Sequence, residues 1–195
     1  MTSDGLKPRA YTLRRRAEKQ DATRQRIVEA TVDLHRTVGP ARTTISAVAE
    51  RAGVQRHTVY RHFPDDAALF KACAGHFLAT QPPPDTSAWA TVEDPGARLR
   101  LGLTELYSYY AANVQMIASV LRDSAVLPVG GGFRALQSAA FEALVTARTN
   151  GRRRPDFTAA LRLATDFRAW QALGPSADLS PSETAHLMCR LLDCL

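Results

Sequence analysis

The stretch from Thr43 to Phe63, TTISAVAERAGVQRHTVYRHF, decides how this chain is interpreted. Its pattern changes at Gly53, a residue whose backbone adopts at low cost the positive φ that a tight turn requires. Before this glycine, apolar residues recur at helical spacing after Thr43 or Thr44, either of which can cap a helix. After it, Val59 supplies the inward position of a second short segment. The stretch therefore predicts a helix, a tight turn and a second helix.

The second predicted helix carries side chains that are almost all hydrogen-bond donors. The first of them, Gln55, Arg56 and His57, occupy positions that reach base edges when such a helix lies in a major groove. Arg56 can present its guanidinium fork to guanine O6 and N7. The hydroxyl and ring N–H groups that follow suit phosphate oxygens, as does a hydroxyl at the N-terminus of the preceding helix. The predicted DNA-binding residues are Thr44, Gln55, Arg56, His57, Thr58, Tyr60, Arg61 and His62.

Two short helices joined by a glycine also occur in purely structural bundles, so the distribution of charge matters. The chain has 195 residues and a net charge of +6. Residues 1–64 contain 13 Lys or Arg and 6 Asp or Glu, a net charge of +7, whereas residues 65–195 contain 12 and 13, a net charge of −1. The excess positive charge therefore coincides with the helix-turn-helix pattern. This favours binding to a polyanion over a merely solvated charged face.

Residues 1–20 carry six Lys or Arg and few apolar residues. This composition predicts a flexible basic arm that attracts DNA without regard to sequence or reaches a minor groove. Asp21 is then expected to cap the first helix. The proline-rich segment 81–95 is the clearest interruption of the helical pattern. Because no strand-like alternation occurs in the sequence, the predicted fold class is all-α, with about nine helices.

Several classes of protein lack their signatures in this sequence. No apolar run approaches the ~18 to 20 residues of a membrane span, and the polar, basic N-terminus lacks a signal region. The three cysteines show no zinc-like spacing and fit a reducing cytoplasm, which is the predicted location. We find no nucleophile motif, phosphate loop, metal-ligand set or paired carboxylates. The sequence therefore predicts no enzymatic activity, no cofactor and no metal.

Residues 24–70 resemble the DNA-binding domain of the TetR family of transcriptional regulators. The resemblance rests on the runs Val48-Ala49-Glu50-Arg51-Ala52-Gly53-Val54 and Thr58-Val59-Tyr60-Arg61-His62-Phe63, and on Ile27, Ala30, Gly39, Thr44 and Leu69. It implies a homodimer on operator DNA, a helical C-terminal domain with a pocket for a small molecule, and release of DNA when that molecule binds. At the matching positions it also supports the phosphate and base contacts assigned above.

Two positions depart from the family's pattern. His35 stands where the family usually has an aromatic core residue, so we expect looser packing or partial exposure there. Asp65 and Asp66 stand where many members have a basic residue that meets the DNA backbone at the fourth helix. Because carboxylates repel phosphates, we expect that contact to be missing.

The predicted organisation is a flexible arm at 1–20, a helix-turn-helix DNA-binding domain at 21–66, and a helical regulatory and dimerisation domain at 67–195. The last two predicted helices, about 156–173 and 181–194, carry apolar stripes that suit a four-helix interface between two copies. Packing within one subunit is the alternative use of these stripes. We favour the dimer because a single reading head makes too few contacts for a tight operator site.

Polar-tipped aromatic residues and soft groups in the second domain are candidate ligand contacts, since ligand pockets combine apolar walls with a few polar anchors. These residues are Tyr107, Tyr110, Met116, Phe141 and Trp170. An ordinary role in the core is the alternative for each. Because Tyr107, Tyr109 and Tyr110 cannot share one helix face, we expect at least one of them to be exposed or at an interface.

The predicted function is that of a ligand-responsive transcriptional repressor that binds palindromic operator DNA as a homodimer. Its predicted partners are double-stranded DNA, a second copy of itself and a small-molecule effector, with no membrane. A DNA-binding regulator controlled by a protein partner is the alternative, which a filled apolar core in the second domain would favour. An enzyme is a third hypothesis, with no motif to support it.

Overall fold

The computed structural model describes residues 7–149 and 155–194, with side chains described for residues 11–145 and 155–194. Within these ranges the regular structure is entirely helical, so the all-α prediction is confirmed. The chain divides into two compact units between Gln81 and Pro82. We call residues up to Gln81 unit 1 and residues from Pro82 unit 2.

The helices of unit 1 follow the predicted order, and the first of them begins earlier than predicted. They are α1 (Lys7–Thr37), α2 (Ile45–Ala52), α3 (Arg56–His62) and α4 (Asp66–Thr80), with a short 3-10 helix at Pro40–Arg42. The unit ends later than the predicted boundary at residue 66, because α4 packs against α1. Leu69 is buried in the same apolar cluster as Ile27 and Val48, so α4 completes the core of unit 1.

The N-terminal segment differs from the predicted flexible arm at 1–20. Residues 7–20 belong to α1, and residues 1–6 lie outside the described part. Asp21 lies inside this helix and does not cap it. Arginine, alanine, glutamate, lysine and glutamine are good helix formers, and Arg14 forms an ion pair with Glu18 one turn away, at 2.9 Å. The helix therefore continues beyond the part that packs against the core.

The core of unit 1 contains a buried histidine, His35. His35 is only 5% exposed, its ring centroid lies 5.0 Å from that of Phe70, and its Nδ1 lies 3.4 Å from Sγ of Cys73. Burial raises the pKa of the Cys73 thiol to about 12, so the thiol stays neutral. His35 is therefore not partly exposed, because α4 covers this position.

Unit 2 contains seven α-helices within the described residues. They are α5 (Thr86–Trp89), α6 (Pro95–Ala112), α7 (Val114–Asp123), α8 (Gly131–Thr149), α9 (Pro155–Thr165), α10 (Phe167–Leu173) and α11 (Pro181–Asp193). Helix α6 is central and packs against α11 and α8. Asp94 caps α6 through Ala97 N at 2.6 Å, and Ser180 and Glu183 form the predicted capping box of α11. The N-termini of α6 and α11 therefore have the caps that the sequence predicts.

A break at Asp166 divides the helix that the sequence predicts at 156–173. Asp166 has extended backbone angles, and its Oδ1 accepts hydrogen bonds from the N–H groups of Arg168 and Ala169 at 2.8 and 2.9 Å. Asp166 is thus the N-cap of α10. The break leaves carbonyl groups at the end of α9 without helical partners, which other side chains must satisfy.

Candidate DNA-binding site

The turn between α2 and α3 has the local geometry that the sequence predicts. Oγ1 of Thr44 accepts a hydrogen bond from Ala47 N at 3.2 Å and caps α2. Gly53 ends α2 in the left-handed conformation, at φ 64° and ψ 41°. The next N–H, that of Val54, donates to Ala49 O at 2.9 Å and closes the turn. Because an L side chain is strained at this φ, glycine fixes the point at which the second helix starts.

Helix α3 has one buried side and one outward side. Val59 is completely buried and Phe63, directly after the helix, is 2% exposed, and both belong to the core of unit 1. Tyr60 is 46% exposed, although it lies next to Val59 in the sequence. The exposed residues of the predicted set are Thr44, Gln55, Arg56, His57, Tyr60 and Arg61, and Thr58 and His62 are half-buried. We call this outward surface, with residues 55–58 and 60–62, the α3 donor face.

His62 differs from the rest of the α3 donor face. Its Nε2 is buried and has no hydrogen-bond partner among the described residues. Burial lowers the pKa of His62, and the positive charges of Arg61 and Arg24 lower it further. The imidazole is therefore favoured in its neutral form, and Nε2 is not available to a phosphate in this conformation. Of the phosphate contacts predicted from the sequence, the one at His62 has the least support from the geometry.

Arg24 is a basic residue near α3 that the sequence analysis did not single out. Its guanidinium carbon lies 4.4 Å from the ring centroid of Phe63, which is a cation–π distance. The side chain is exposed, and its charge acts on His62. Arg24 therefore places α1 beside the C-terminal end of α3. Only the tertiary packing of α1 on α3 reveals this arrangement.

The two acidic residues at the start of α4 have different roles. Oδ1 of Asp65 accepts a hydrogen bond from Ala68 N at 2.7 Å, so this carboxylate is the N-cap of α4. Asp66 is exposed in the first turn of the same helix. An acidic residue there suits the helix dipole. Both carboxylates lie close in sequence to the C-terminal end of α3, where they reduce the positive potential of the site.

Another exposed arginine of the helix-turn-helix unit is engaged within the protein. Arg51, near the end of α2, pairs with Asp33 of α1, and Arg36 pairs with the same carboxylate at 2.7 Å. The pair between Arg51 and Asp33 holds α2 against α1. Arg51 is therefore a useful reference for Arg56, which has no ion pair among the described residues.

The candidate ligand residues of unit 2 are all buried. Tyr107, Tyr110 and Trp170 lie together, with ring centroids 5.6 to 6.4 Å apart. Met116 is 5% exposed and Phe141 is 6% exposed. We expected at least one of Tyr107, Tyr109 and Tyr110 to be exposed or at an interface, but Tyr109 is also buried, at 8% exposure. The candidate residues form part of the packed interior of the unit.

The two tyrosine hydroxyls of this group donate hydrogen bonds to carbonyl groups that the break between α9 and α10 leaves without helical partners. The hydroxyl of Tyr107 donates to Ala164 O, and the hydroxyl of Tyr110 donates to Thr165 O, both at 2.8 Å. Burial raises the pKa of Tyr107 and of Tyr110, so both hydroxyls keep the proton that they donate. Both polar groups are thus committed to carbonyl groups more than 50 residues away in the sequence.

Trp170 contributes a polar group to this interior. Nε1 of Trp170 is buried, with no acceptor among the described residues, and the whole residue is 3% exposed. Beside the helix break, a surface cleft of about 170 Å³ is lined by Gln137, Ser138, Phe141, Arg162, Thr165 and Asp166. Of the five candidate ligand residues, Phe141 lines this cleft. The guanidinium carbon of Arg162 lies 4.1 Å from the centroid of the Phe141 ring.

The described part of the chain contains no group of three His, Cys, Asp or Glu side chains arranged to hold a metal ion. None of its helices combines the length and the apolar character of a membrane span.

Residues 27–73 match a protein family described as bacterial regulatory proteins, tetR family. Two curated proteins from Pseudomonas putida, the HTH-type transcriptional regulator TtgR and the probable HTH-type transcriptional regulator ArpR, are each 42% identical over 60 residues. These alignments cover 31% of this chain and 29% of each relative, so less than a third of either protein is matched.

A solved structure is similar over a longer part of the chain. A TetR transcription regulator from Haloarcula marismortui superposes with a TM-score of 0.56 at 19% identity, covering 88% of this chain and 94% of that chain. At this identity the similarity concerns the fold alone. The family match, in contrast, lies within unit 1 and includes α2, the turn and α3.

Proposed function

We propose that this chain represses transcription by binding a palindromic operator as a homodimer, and that it releases the DNA when a small molecule binds unit 2. The proposal starts from the match of residues 27–73 to the tetR family of bacterial regulatory proteins. The observation that carries the DNA-binding part is the α3 donor face. Arg56, Tyr60 and Arg61 of this face are exposed to solvent, while Val59 anchors the buried side of the helix in the core. A helix of this kind fits the major groove, which is about 12 Å wide.

The proposed contacts divide into base reading and positioning. Arg56, exposed in the first turn of α3, is assigned to a base edge, where a bidentate contact with guanine gives discrimination. Gln55 and His57 flank it and share that role. Thr44, Thr58, Tyr60 and Arg61 are assigned to phosphates, which fix the orientation of the helix on the duplex without reading sequence.

The proposed dimer uses the exposed apolar residues on the last helices. Leu163 of α9 is 64% exposed and Leu191 of α11 is 51% exposed, and Leu187 and Met188 are half-buried. Covering such residues with a second copy removes apolar surface from water. Two copies would then present two α3 helices to half-sites about 34 to 36 Å apart on the duplex.

The proposed effector acts through the break between α9 and α10. Tyr107 and Tyr110 hold the carbonyls at this break, and Trp170 offers a buried N–H without an acceptor among the described residues. A ligand that enters among these aromatic rings can accept from Trp170 and compete for the tyrosine hydroxyls. Because α9 bears Leu163, a change at the break alters the dimer surface and the spacing of the two α3 helices. Binding then shifts the population towards a conformer that does not fit successive major grooves.

A regulator controlled by a protein partner is the second candidate function. It is favoured by the burial of all five candidate ligand residues, which places them in a packed core. A panel of small aromatic and amphipathic compounds separates the two. Saturable stabilisation of the chain by a member of the panel, with loss of DNA binding, favours the effector. Stabilisation by none of them favours a protein partner.

Selection of bound sequences from random duplex DNA tests the proposed function. We expect enrichment of an inverted repeat whose half-sites lie about one helical turn apart, and two chains per duplex. Enrichment of a single half-site with one chain bound contradicts the dimer. Enrichment of no sequence, together with no affinity for duplex DNA at low ionic strength, contradicts the function as a whole.

A further inference from the structure

The surface cleft beside the helix break lies between α8 and α9, and the tyrosine and tryptophan rings of the interior do not line it. We call it the α8–α9 cleft, and its walls are Gln137, Ser138 and Phe141 of α8 together with Arg162, Thr165 and Asp166. Each set of three spans about one helical turn and faces one side. The volume is about 170 Å³, and a cavity of about 150 Å³ holds a benzene ring. The cleft therefore has room for one ring with small substituents.

Arg162 places a positive charge at the α8–α9 cleft. Its side chain is exposed, and it forms no ion pair among the described residues. Its guanidinium carbon lies 4.1 Å from the centroid of the Phe141 ring. A guanidinium above a ring keeps its N–H donors in its own plane, where a carboxylate can accept two of them. The contact with Phe141 thus holds Arg162 at the cleft and leaves its donors available to an anion.

Asp166 places an acceptor in the same cleft, four residues after Arg162. Its Oδ1 accepts from two backbone N–H groups of α10, whereas its Oδ2 accepts from Nε2 of Gln137 at 3.3 Å. This distance is longer than that of most N–H···O hydrogen bonds, which are about 2.7 to 3.2 Å. Although their charges are opposite, Arg162 and Asp166 form no ion pair with each other. A ligand can therefore bind both groups and displace only one long hydrogen bond from Oδ2.

We propose that the α8–α9 cleft binds a monocyclic aromatic carboxylate that carries a neutral hydrogen-bond donor on the opposite side of its ring. The carboxylate pairs with Arg162 and accepts a hydrogen bond from the hydroxyl of Ser138. The ring lies beside Phe141, and the donor replaces the amide of Gln137 at Oδ2 of Asp166. One ring with substituents on opposite sides spans a distance comparable with one helical turn, about 5.4 Å.

The two charges of the cleft discriminate against simpler relatives of this ligand. A phenol has no anionic group for Arg162, and an unsubstituted benzoate has no donor for Asp166. A benzene dicarboxylate places a second negative charge against the carboxylate of Asp166, which repels it. A neutral donor suffices at Asp166, because the N-terminus of α10 offsets part of its charge. The cleft therefore selects one anionic end and one neutral donor end.

Binding in the α8–α9 cleft reaches the helix break through one carbonyl group. The carbonyl oxygen of Thr165 accepts from the hydroxyl of Tyr110 at 2.8 Å and from Nε2 of Gln137 at 3.4 Å. A ligand that displaces Gln137 from Asp166 also removes this amide from the carbonyl of Thr165, which leaves Tyr110 as its donor. The binding site stands by itself, but an effect on DNA rests on the proposed function, in which a change at the break alters the dimer surface.

Isothermal titration calorimetry of the full chain with 4-hydroxybenzoate tests the proposal. Benzoate, phenol and terephthalate are the comparison probes, because each lacks or alters one end of the ligand. The test variant is Arg162→Gln, and the control is Arg168→Gln, which removes an exposed arginine of α10 that does not line the cleft. Glutamine is a good helix former, and circular dichroism checks that both variants keep their helix content.

We expect saturable binding of 4-hydroxybenzoate, with benzoate about fivefold weaker and phenol more than about tenfold weaker, because a charge-assisted pair contributes more than a neutral hydrogen bond. Arg162→Gln should weaken 4-hydroxybenzoate about tenfold and leave phenol unchanged, since phenol has no group that pairs with Arg162. Arg168→Gln should change neither affinity. Asp166→Asn keeps a side chain that can cap α10, and it should improve the binding of terephthalate by removing the repulsion.

The outcomes separate this inference from the proposed function. Absence of saturable binding of 4-hydroxybenzoate at millimolar concentration overturns the inference, and so do equal losses in Arg162→Gln and Arg168→Gln. Binding as expected, with an unchanged affinity for the selected operator at saturating ligand, supports the site and overturns its effect on DNA. A wild type that binds 4-hydroxybenzoate but no duplex at low ionic strength overturns the proposed function and leaves the site standing.

Discussion

The two units of this chain present their candidate functional residues in opposite ways. In unit 1, Arg56 and Tyr60 are exposed, and the side of α3 opposite to them is anchored by Val59. In unit 2, Tyr107 and Tyr110 are buried, and their hydroxyls are bound to carbonyls of a distant helix. The first arrangement leaves donors open to a partner. The second uses donors to hold the fold, so a ligand there must compete with existing hydrogen bonds.

Substitution of Arg56 tests whether the exposed donors of unit 1 bind DNA, and it has the largest expected effect on affinity. Arg56→Ala removes a bidentate base contact, which lowers the affinity for the selected operator by about 2.7 kcal/mol, roughly a hundredfold, and relaxes base choice at one position. Competition titrations with operators that carry each base at that position measure both effects.

Arg51→Ala is the control for Arg56. It also removes an exposed arginine from the helix-turn-helix unit, but one that pairs with Asp33. It should leave the order of base preference unchanged. If Arg51→Ala changed base preference and Arg56→Ala did not, the assignment of base reading to α3 would be wrong.

Substitution of Tyr107 tests whether the buried hydroxyls of unit 2 stabilise the fold. Tyr107→Phe leaves the buried carbonyl of Ala164 without its donor, which lowers the free energy of unfolding of unit 2 by about 2 kcal/mol. Tyr109→Phe is the control, because it makes the same chemical change at a buried tyrosine of the same helix whose hydroxyl is not bound to the helix break. Denaturant unfolding with a probe in unit 2 should show a small change for Tyr109→Phe. Equal effects would contradict the role given to the break.

The fold and the α3 site could be predicted because their signals are local in sequence. The cap at Thr44, the left-handed Gly53 and the inward Val59 are all confirmed, and each depends on neighbours within a few residues. The burial of Nε2 of His62 could not be predicted, because it depends on the tertiary packing around the end of α3. The same is true of the contact between Arg24 and Phe63.

The errors at α1 and α9 have a different physical cause. Residues 7–23 of α1 carry no apolar stripe, and hydrophobic periodicity is the main signal by which a helix is recognised. The sequence therefore predicts a flexible arm at residues 1–20, although residues 7–20 are helical. In contrast, residues 156–173 keep the helical pattern across Asp166, which indicates one helix. The break there is stabilised by hydroxyl groups of α6, and periodicity within a segment carries no information about such partners.

Substitution of Tyr60 sharpens the division of roles within the α3 donor face. Tyr60→Phe removes a hydroxyl assigned to a phosphate, so affinity should fall by about 1 kcal/mol, roughly fivefold, for every duplex sequence alike. Parallel titrations of the selected operator and of a scrambled duplex measure this effect. A change in base preference instead of a uniform loss would show that Tyr60 contacts a base edge rather than a phosphate.

Substitution of Asp66 has the smallest expected effect. Asp66→Asn removes an exposed negative charge at the start of α4 and keeps the capping carboxylate of Asp65. DNA binding should become about two- to threefold tighter at low salt, with the gain disappearing as salt screens the charge. Glu93→Gln removes the same charge from an exposed site in unit 2 and should change affinity less. Equal gains would show an effect of net charge alone.

The central claim is that the α3 donor face holds DNA, and fluorescence anisotropy with a labelled random-sequence duplex at low ionic strength tests it most directly. The α3 variant is Arg56→Ala/Arg61→Ala, and the control is Arg100→Ala/Arg168→Ala, which removes two exposed arginines from unit 2. We predict that the wild type and the control bind with similar affinity and that the α3 variant binds more than about tenfold more weakly. A wild type without affinity for the duplex, or an α3 variant that binds as tightly as the wild type, would contradict the account.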